Sequence, residues 1–116
     1  MKLGRKITGG KYTKRKKRKA YERPGQSKIV KLGEDKRKSE RVMGGNVKTT
    51  MLKGKSINVG KTKLEIKNVI ETPSNRFLAR QNILTKGTIV ETDKGKVKIT
   101  NRPSQEGTIN GILIKE

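Results

Sequence analysis

The sequence predicts a mostly β protein: a small barrel of about six short strands, with a basic, extended N-terminal arm. Three observations lead there. Across residues 49–116 apolar side chains recur with a period of two, the repeat of a half-buried strand. Gly, Thr, Val and Ile dominate, while Ala occurs only twice, at Ala20 and Ala79, a composition that disfavours long helices. From Thr8 to Lys28 there is no Val, Ile, Leu, Met or Phe, so this stretch has no apolar surface with which to offset its chain entropy.

Taken in order, residues 1–25 read as the arm, disordered when alone, and residues 26–116 as the barrel domain. Residues 1–23 hold eleven Lys or Arg against one acid, Glu22, a net of +10. Strands are expected at Lys28–Leu32, Val47–Leu52 and Ser56–Val59. Val59-Gly60-Lys61 then turns the chain into a strand in which Leu64, Ile66 and Asn68 share one face, alternating with Lys63, Glu65 and Lys67. Pro73 breaks the pattern, and one helical turn is expected near Asn75–Gln81. Val90 lies between Ile89 and Glu91, and Val97 and Ile99 alternate with Lys96, Lys98 and Thr100. Between these runs Asp93-Lys94-Gly95 reads as a tight hairpin turn, with Gly95 supplying a positive φ. An Ile-rich run from Thr108 to Ile114 closes the set. Residues 49–116 carry twenty large apolar side chains. The core is therefore expected there, helped by Ile29, Val30, Leu32, Val42, Met43 and Val47. It is a thin core, and a barrel would hide the sheet edges that such a chain otherwise exposes.

The charge implies a partner. Thirty-one basic residues stand against ten acidic ones, a net of +21 on 116 residues. A chain so basic repels itself unless a polyanion neutralises it, and nucleic acid carries the densest common negative charge. With no Cys there is no disulfide framework, thiolate metal site or cysteine nucleophile, and with no His the usual general base is missing. No cofactor, metal or small-molecule substrate is expected. Glu34, Asp35 and Glu40 are too crowded by cations to read as a metal cluster. Asp93 and Glu91 read as turn and strand residues rather than a catalytic pair. Apolar runs never exceed Ile112-Leu113-Ile114, so no membrane span is expected, and the basic start Met1–Lys6 lacks the apolar stretch of a secretory signal. A soluble intracellular protein is the expectation.

Several segments are candidates for nucleic-acid contact. In the arm these are Arg5, Lys6, Lys11 and the six consecutive cations Lys14, Arg15, Lys16, Lys17, Arg18 and Lys19. Such a run tracks phosphates, although composition alone does not separate it from a nuclear import signal. Tyr12 and Tyr21 bracket the run where no core exists, and suit base stacking or ribose packing. The pairs Gly9-Gly10 and Gly44-Gly45, the latter followed by Asn46, let backbone N–H groups approach an anion, or serve simply as turns. Lys36, Arg37, Lys38 and Arg41 form a second basic cluster. Arg76, Arg80, Lys86 and Arg102 fall in loop-like stretches. Arg is scarce, nine against twenty-two Lys, and its fork binds phosphate bidentately, so an Arg in a loop is the better candidate for a specific contact.

These residues also resemble a known family. Lys6-Ile7-Thr8-Gly9-Gly10 is followed by Gly33-Glu34-Asp35-Lys36-Arg37-Lys38, Gly44-Gly45-Asn46 and Lys67-Asn68-Val69-Ile70-Glu71. Pro73 and Asn75 come next, then Arg80-Gln81-Asn82-Ile83, Thr85-Lys86-Gly87, Ile89, Glu91-Thr92 and Arg102-Pro103-Ser104-Gln105-Glu106-Gly107. In this order and spacing the chain resembles small-subunit ribosomal protein eight of the archaeal and eukaryotic type, over nearly its whole length. The short length is similar to the archaeal form. One departure is Tyr21-Glu22-Arg23-Pro24-Gly25, where a Glu-Leu-Gly-Arg-like stretch is the family's pattern. The resemblance implies a structural, non-enzymatic component of the cytoplasmic ribosome, docked on small-subunit ribosomal RNA beside neighbouring ribosomal proteins. The alternative from composition is a chromatin-type protein coating duplex DNA. The long apolar-free arm favours RNA, whose folded grooves and junctions such an arm can thread.

Overall fold

Alternation of buried and exposed side chains builds the barrel. The computed structural model describes residues 4–12, 16–22, 24–25 and 27–115. Its strands are β1 (Lys31–Leu32), β2 (Lys36–Arg41), β3 (Val47–Gly54), β4 (Ser56–Val59), β5 (Thr62–Glu71), β6 (Ile89–Thr92), β7 (Gly95–Ile99) and β8 (Asn110–Leu113). Strands β4-β5-β6-β7-β8 close into a barrel. Neighbours are antiparallel except at the seam, where β4 runs parallel to β8 through Asn58↔Asn110 and Val59↔Gly111. The other three strands form a separate sheet in the order β1-β3-β2. The expected barrel is present, with five strands rather than about six, and a second sheet rests against it.

Tight turns set the barrel's registers. Gly60 takes φ +58° in the two-residue loop joining β4 to β5, where Thr62 Oγ1 donates to the Val59 carbonyl at 3.0 Å. Asp93-Lys94 joins β6 to β7, and the expected positive φ falls on Gly95, at +122°. Strand β5 departs from plain alternation. Its register with β6 shifts between Ile66 and Asn68 and again between Val69 and Glu71. A bulge adds a residue and reverses the inward–outward parity of the strand beyond it. Leu64 and Ile66 point inward as expected, but Asn68 is exposed and Val69 takes the buried place.

The core runs through both sheets. Ile57, Leu64, Ile66, Val69, Val90, Val97 and Ile99 fill the barrel side, and Val30, Met51, Leu84 and Ile109 continue the same buried cluster. Of the residues expected to help from outside residues 49–116, Val30 is buried and Leu32 partly so. Ile29, Val42, Met43 and Val47 are exposed. The latter three sit at the end of the β2–β3 ribbon, which extends past the core.

Two short helices complete the domain. The expected helical turn is α1 (Arg76–Arg80), started by Asn75, whose Oδ1 accepts from the Phe77 N–H at 3.1 Å. A second, α2 (Pro103–Glu106), falls where a loop was expected. Pro103 begins it and Gly107 ends it in the left-handed region at φ +70°, the usual Pro-first, Gly-last grammar of helix ends. Among the described residues no helix is long and apolar enough to cross a membrane.

Candidate nucleic-acid interface

Among the described residues, everything before Val30 is exposed. The hydrogen bonds of the described residues 4–12 and 16–22 are local. The Gly9 N–H donates to the Lys6 carbonyl at 2.9 Å and the Lys6 N–H to the Gly10 carbonyl at 2.9 Å, closing a turn with Gly9 at φ +82°. Arg5 Nη1 reaches the Gly9 carbonyl at 3.0 Å, and Arg5 pairs with Lys11 across the turn. The Gly9-Gly10 pair thus serves as a turn, with Ile7 fully exposed at its tip. The Lys6 ammonium sits 5.9 Å from the centre of the Tyr12 ring, and that of Lys19 5.6 Å from Tyr21. A 3-10 turn at Ala20–Glu22 is held by Glu22, which accepts from the Lys19 N–H at 3.0 Å and pairs with Lys16 at 3.1 Å. Lys17 and Arg18 are exposed beside it. Lys14 and Arg15 lie outside the described residues.

The second basic cluster, a candidate for nucleic-acid contact with no element assigned to it from sequence, forms strand β2. All six of its residues are exposed, so no apolar period marks it. Lys36 and Arg41 stand at its two ends. Lys38 pairs with Glu40 at 2.9 Å, and Lys28 approaches the same carboxylate at 3.7 Å. The hydrogen bond from Lys38, with the charge of Lys28, lowers the Glu40 pKa from its ordinary 4.5. Arg37 is occupied within the protein. Its Nε donates to the Gly107 carbonyl at 2.6 Å and its Nη2 lies 3.6 Å from Asp35. That bond ties the β2–β3 ribbon to the end of α2. At the ribbon's tip the Val42 N–H donates to the Asn46 carbonyl at 2.8 Å, with Gly44 and Gly45 at φ +82° and +75°. Asn46 Nδ2 donates to the Met43 carbonyl at 3.4 Å. Met43 is 95% exposed there.

The remaining candidates divide between two places. Arg76 and Arg80 are the first and last residues of α1, both exposed. Between them Phe77 is 69% exposed, although it is the only aromatic residue outside the arm. Sequence reasoning counted Phe77 with the core. The available signal was its place between two Arg in Arg76-Phe77-Leu78-Ala79-Arg80. Lys86 and Arg102, distant in sequence, line one cleft beside α2.

Acids do little to neutralise this surface. Lys16, Lys28, Arg37, Lys38, Lys55 and Lys67 are among the cations that do form ion pairs. Exposed pairs of this kind contribute little stability. The described residues contain no group of three or more acids that could hold a metal ion. What remains is a field of cations on an arm, a two-stranded ribbon and loop ends, suited to tracking phosphates along an irregular surface.

Comparison with known proteins gives this surface a context. The family model described as "Ribosomal protein S8e" matches residues 1–114. The chain is similar to "Small ribosomal subunit protein eS8" of Nanoarchaeum equitans, 45% identical over 115 residues, covering 94% of this chain and 91% of that protein. The protein of the same name from Sulfurisphaera tokodaii is 43% identical over 119 residues, covering 97% and 93%. That from Methanococcus aeolicus is 44% identical over 119 residues, with the same coverage.

Proposed function

The chain belongs to the Ribosomal protein S8e family, and from that premise we propose how its surface serves a structural role in the small ribosomal subunit. It is a non-enzymatic constituent of that subunit, of the archaeal type, associated with ribosomal RNA and ribosomal proteins. Nothing favours the DNA-coating alternative. The observation that carries the reading is the family match across residues 1–114, joined to an excess of cations that the protein's own acids leave unneutralised.

In our reading residues 1–25 are an RNA-threading arm and residues 26–116 a domain that places further cations. Lys17, Arg18 and the ring-stacked Lys6 and Lys19 hold phosphates, while Tyr12 and Tyr21 pack on bases or riboses. The Gly44-Gly45 tip lets backbone approach RNA, and Lys36, Lys38 and Arg41 flank it. Arg76, Arg80, Lys86 and Arg102 are the domain's contacts. Arg37 acts one step back, by fixing the ribbon. The setting is the cytoplasmic ribosome. Sedimentation of cell extract tests the role: the protein should remain with small subunits through a high-salt gradient. Its release into the soluble fraction at moderate salt would count against an integral place.

A further inference from the structure

Two of these cations, Lys86 and Arg102, open onto a cleft of about 520 Å3 between residues 27–30, α1, residues 83–86 and the start of α2. Sites that take small ligands run from about 300 to 1,000 Å3. Val30, Leu78, Ile83, Leu84 and Pro103 give it an apolar floor, and Ser27, Ser74 and Ser104 bring hydroxyls to its edge. No acidic residue lines it. Lys28 also borders the cleft, but its ammonium is engaged elsewhere, donating to Thr50 Oγ1 at 3.1 Å and facing Glu40. The side chains of Lys86 and Arg102 have no hydrogen-bond or ion-pair partner among the described residues.

Resting on the RNA-binding reading above, we propose that this cleft receives one unstacked nucleotide of ribosomal RNA. A nucleotide has apolar base faces, polar base edges, a ribose hydroxyl and a negative phosphate. The cleft offers a complement to each: an aliphatic floor for the base, serine hydroxyls for its edges and the ribose 2′-OH, and Arg102 and Lys86 for the phosphate. Recognition of RNA outside its helices works by splaying single bases into such sites. An apolar protein segment would leave both cations unmatched, so charge complementarity favours the nucleotide. With no aromatic ring in the floor, little preference among the four bases is expected.

The test uses the full chain with labelled methyl groups and three probes: an RNA hairpin with one bulged nucleotide, the same hairpin fully paired, and inorganic phosphate. The bulged hairpin should shift the methyl signals of Val30, Leu78, Ile83 and Leu84. The paired hairpin should shift amides of the arm and the ribbon but leave those floor methyls unmoved, and bind about ten-fold more weakly for want of the charge-assisted contacts in the cleft. Ser104→Trp, which fills the cleft, should abolish that preference while binding of the paired hairpin persists, and Arg102→Gln should abolish it while also weakening binding of both hairpins. If arm amides respond to both hairpins while the floor methyls stay silent, the cleft proposal fails and the RNA-binding reading stands. A cleft reserved for a segment of a neighbouring protein would give that result. If phosphate alone reproduces the methyl shifts, the cleft is an anion site and the proposal also fails. Silence everywhere would overturn both readings.

Discussion

A Cβ built onto Gly111 would lie 2.6 Å from Val97 Cγ1, 2.8 Å from Ile57 Cδ1 and 2.8 Å from the Lys98 carbonyl oxygen. The barrel is full at its seam, and there the missing side chain is what lets β8 sit against its neighbours. Gly111→Ala should cost about 1–3 kcal/mol by overpacking, measurable by urea unfolding. Ile66→Ala or Ile99→Ala should cost about 2–5 kcal/mol by leaving a cavity. Arg80→Ala or Arg102→Ala should stay within about 0.5 kcal/mol of the parent, as ordinary surface changes do, while weakening RNA binding. Unfolding of the Arg variants with normal melting of the Ile variants would mean inside and outside had been exchanged. Titration belongs to this scale too. The Glu40 carboxyl is lowered, so its contribution is present above 4.5 and is lost as pH falls through the lowered value. Lys55 is raised above 10.5, first by its hydrogen bond to Glu65, so its contribution is present below 10.5 and is lost as pH rises through the raised value. With no His in the chain, the melting temperature should be level from about pH 5.5 to pH 8.5. A step within that window would contradict this assignment.

At the scale of elements, β2 is exposed along its whole length and tied to its surroundings by few side chains. Ser39 Oγ meets Thr49 Oγ1 at 3.1 Å, Arg37 bonds to Gly107, and a Cβ on Gly107 would lie 2.8 Å from Thr49 Cγ2. Arg37→Ala should therefore loosen one element. The amides of β2 should exchange faster while those of Ile66 and Ile99 keep their protection, as expected of separate local openings. Uniform loss of protection would show that the ribbon and barrel unfold as one unit. The elements differ in how legible they were. Strands β4, β6 and β7 could be read because one face is wet and the other buried, so sequence alternates with structure. Strand β2 could not, because Lys36-Arg37-Lys38-Ser39-Glu40-Arg41 has no buried residue. It is a strand because β3 offers it a hydrogen-bonding partner. In β5 the first half was legible, but the bulge near Asn68 was not, since nothing in the local pattern marks the parity change.

For the molecule as a whole, the dimensions are 64 × 37 × 26 Å and the radius of gyration is 20.3 Å, against about 13 Å for a compact chain of this length. A shape so drawn out spends its charge over distance, and binding should be strongly salt-dependent. If about ten cations neutralise phosphates, the log–log slope of affinity against salt should be roughly −7 to −9. Deleting residues 2–23 should flatten it markedly. An unchanged slope would place the binding in the folded domain instead.

Composition alone determined the partner class, because a net charge of +21 admits few partners besides a polyanion. Periodicity alone determined that the chain is mostly strand, pointing to a small barrel or a twisted sandwich, and the lack of apolar residues from Thr8 to Lys28 left that stretch without a core, since burial and its absence both leave traces in local sequence. Tertiary structure decided what depends on neighbours distant along the chain. It turned Arg37 inward to Gly107, left Met43 and Phe77 outside, and set Lys86 and Arg102 at the edge of one cleft. Whether an arginine faces solvent or a carbonyl 70 residues away is a property of the packed chain. No local pattern encodes it, because the energy that selects it arises only when the two segments meet.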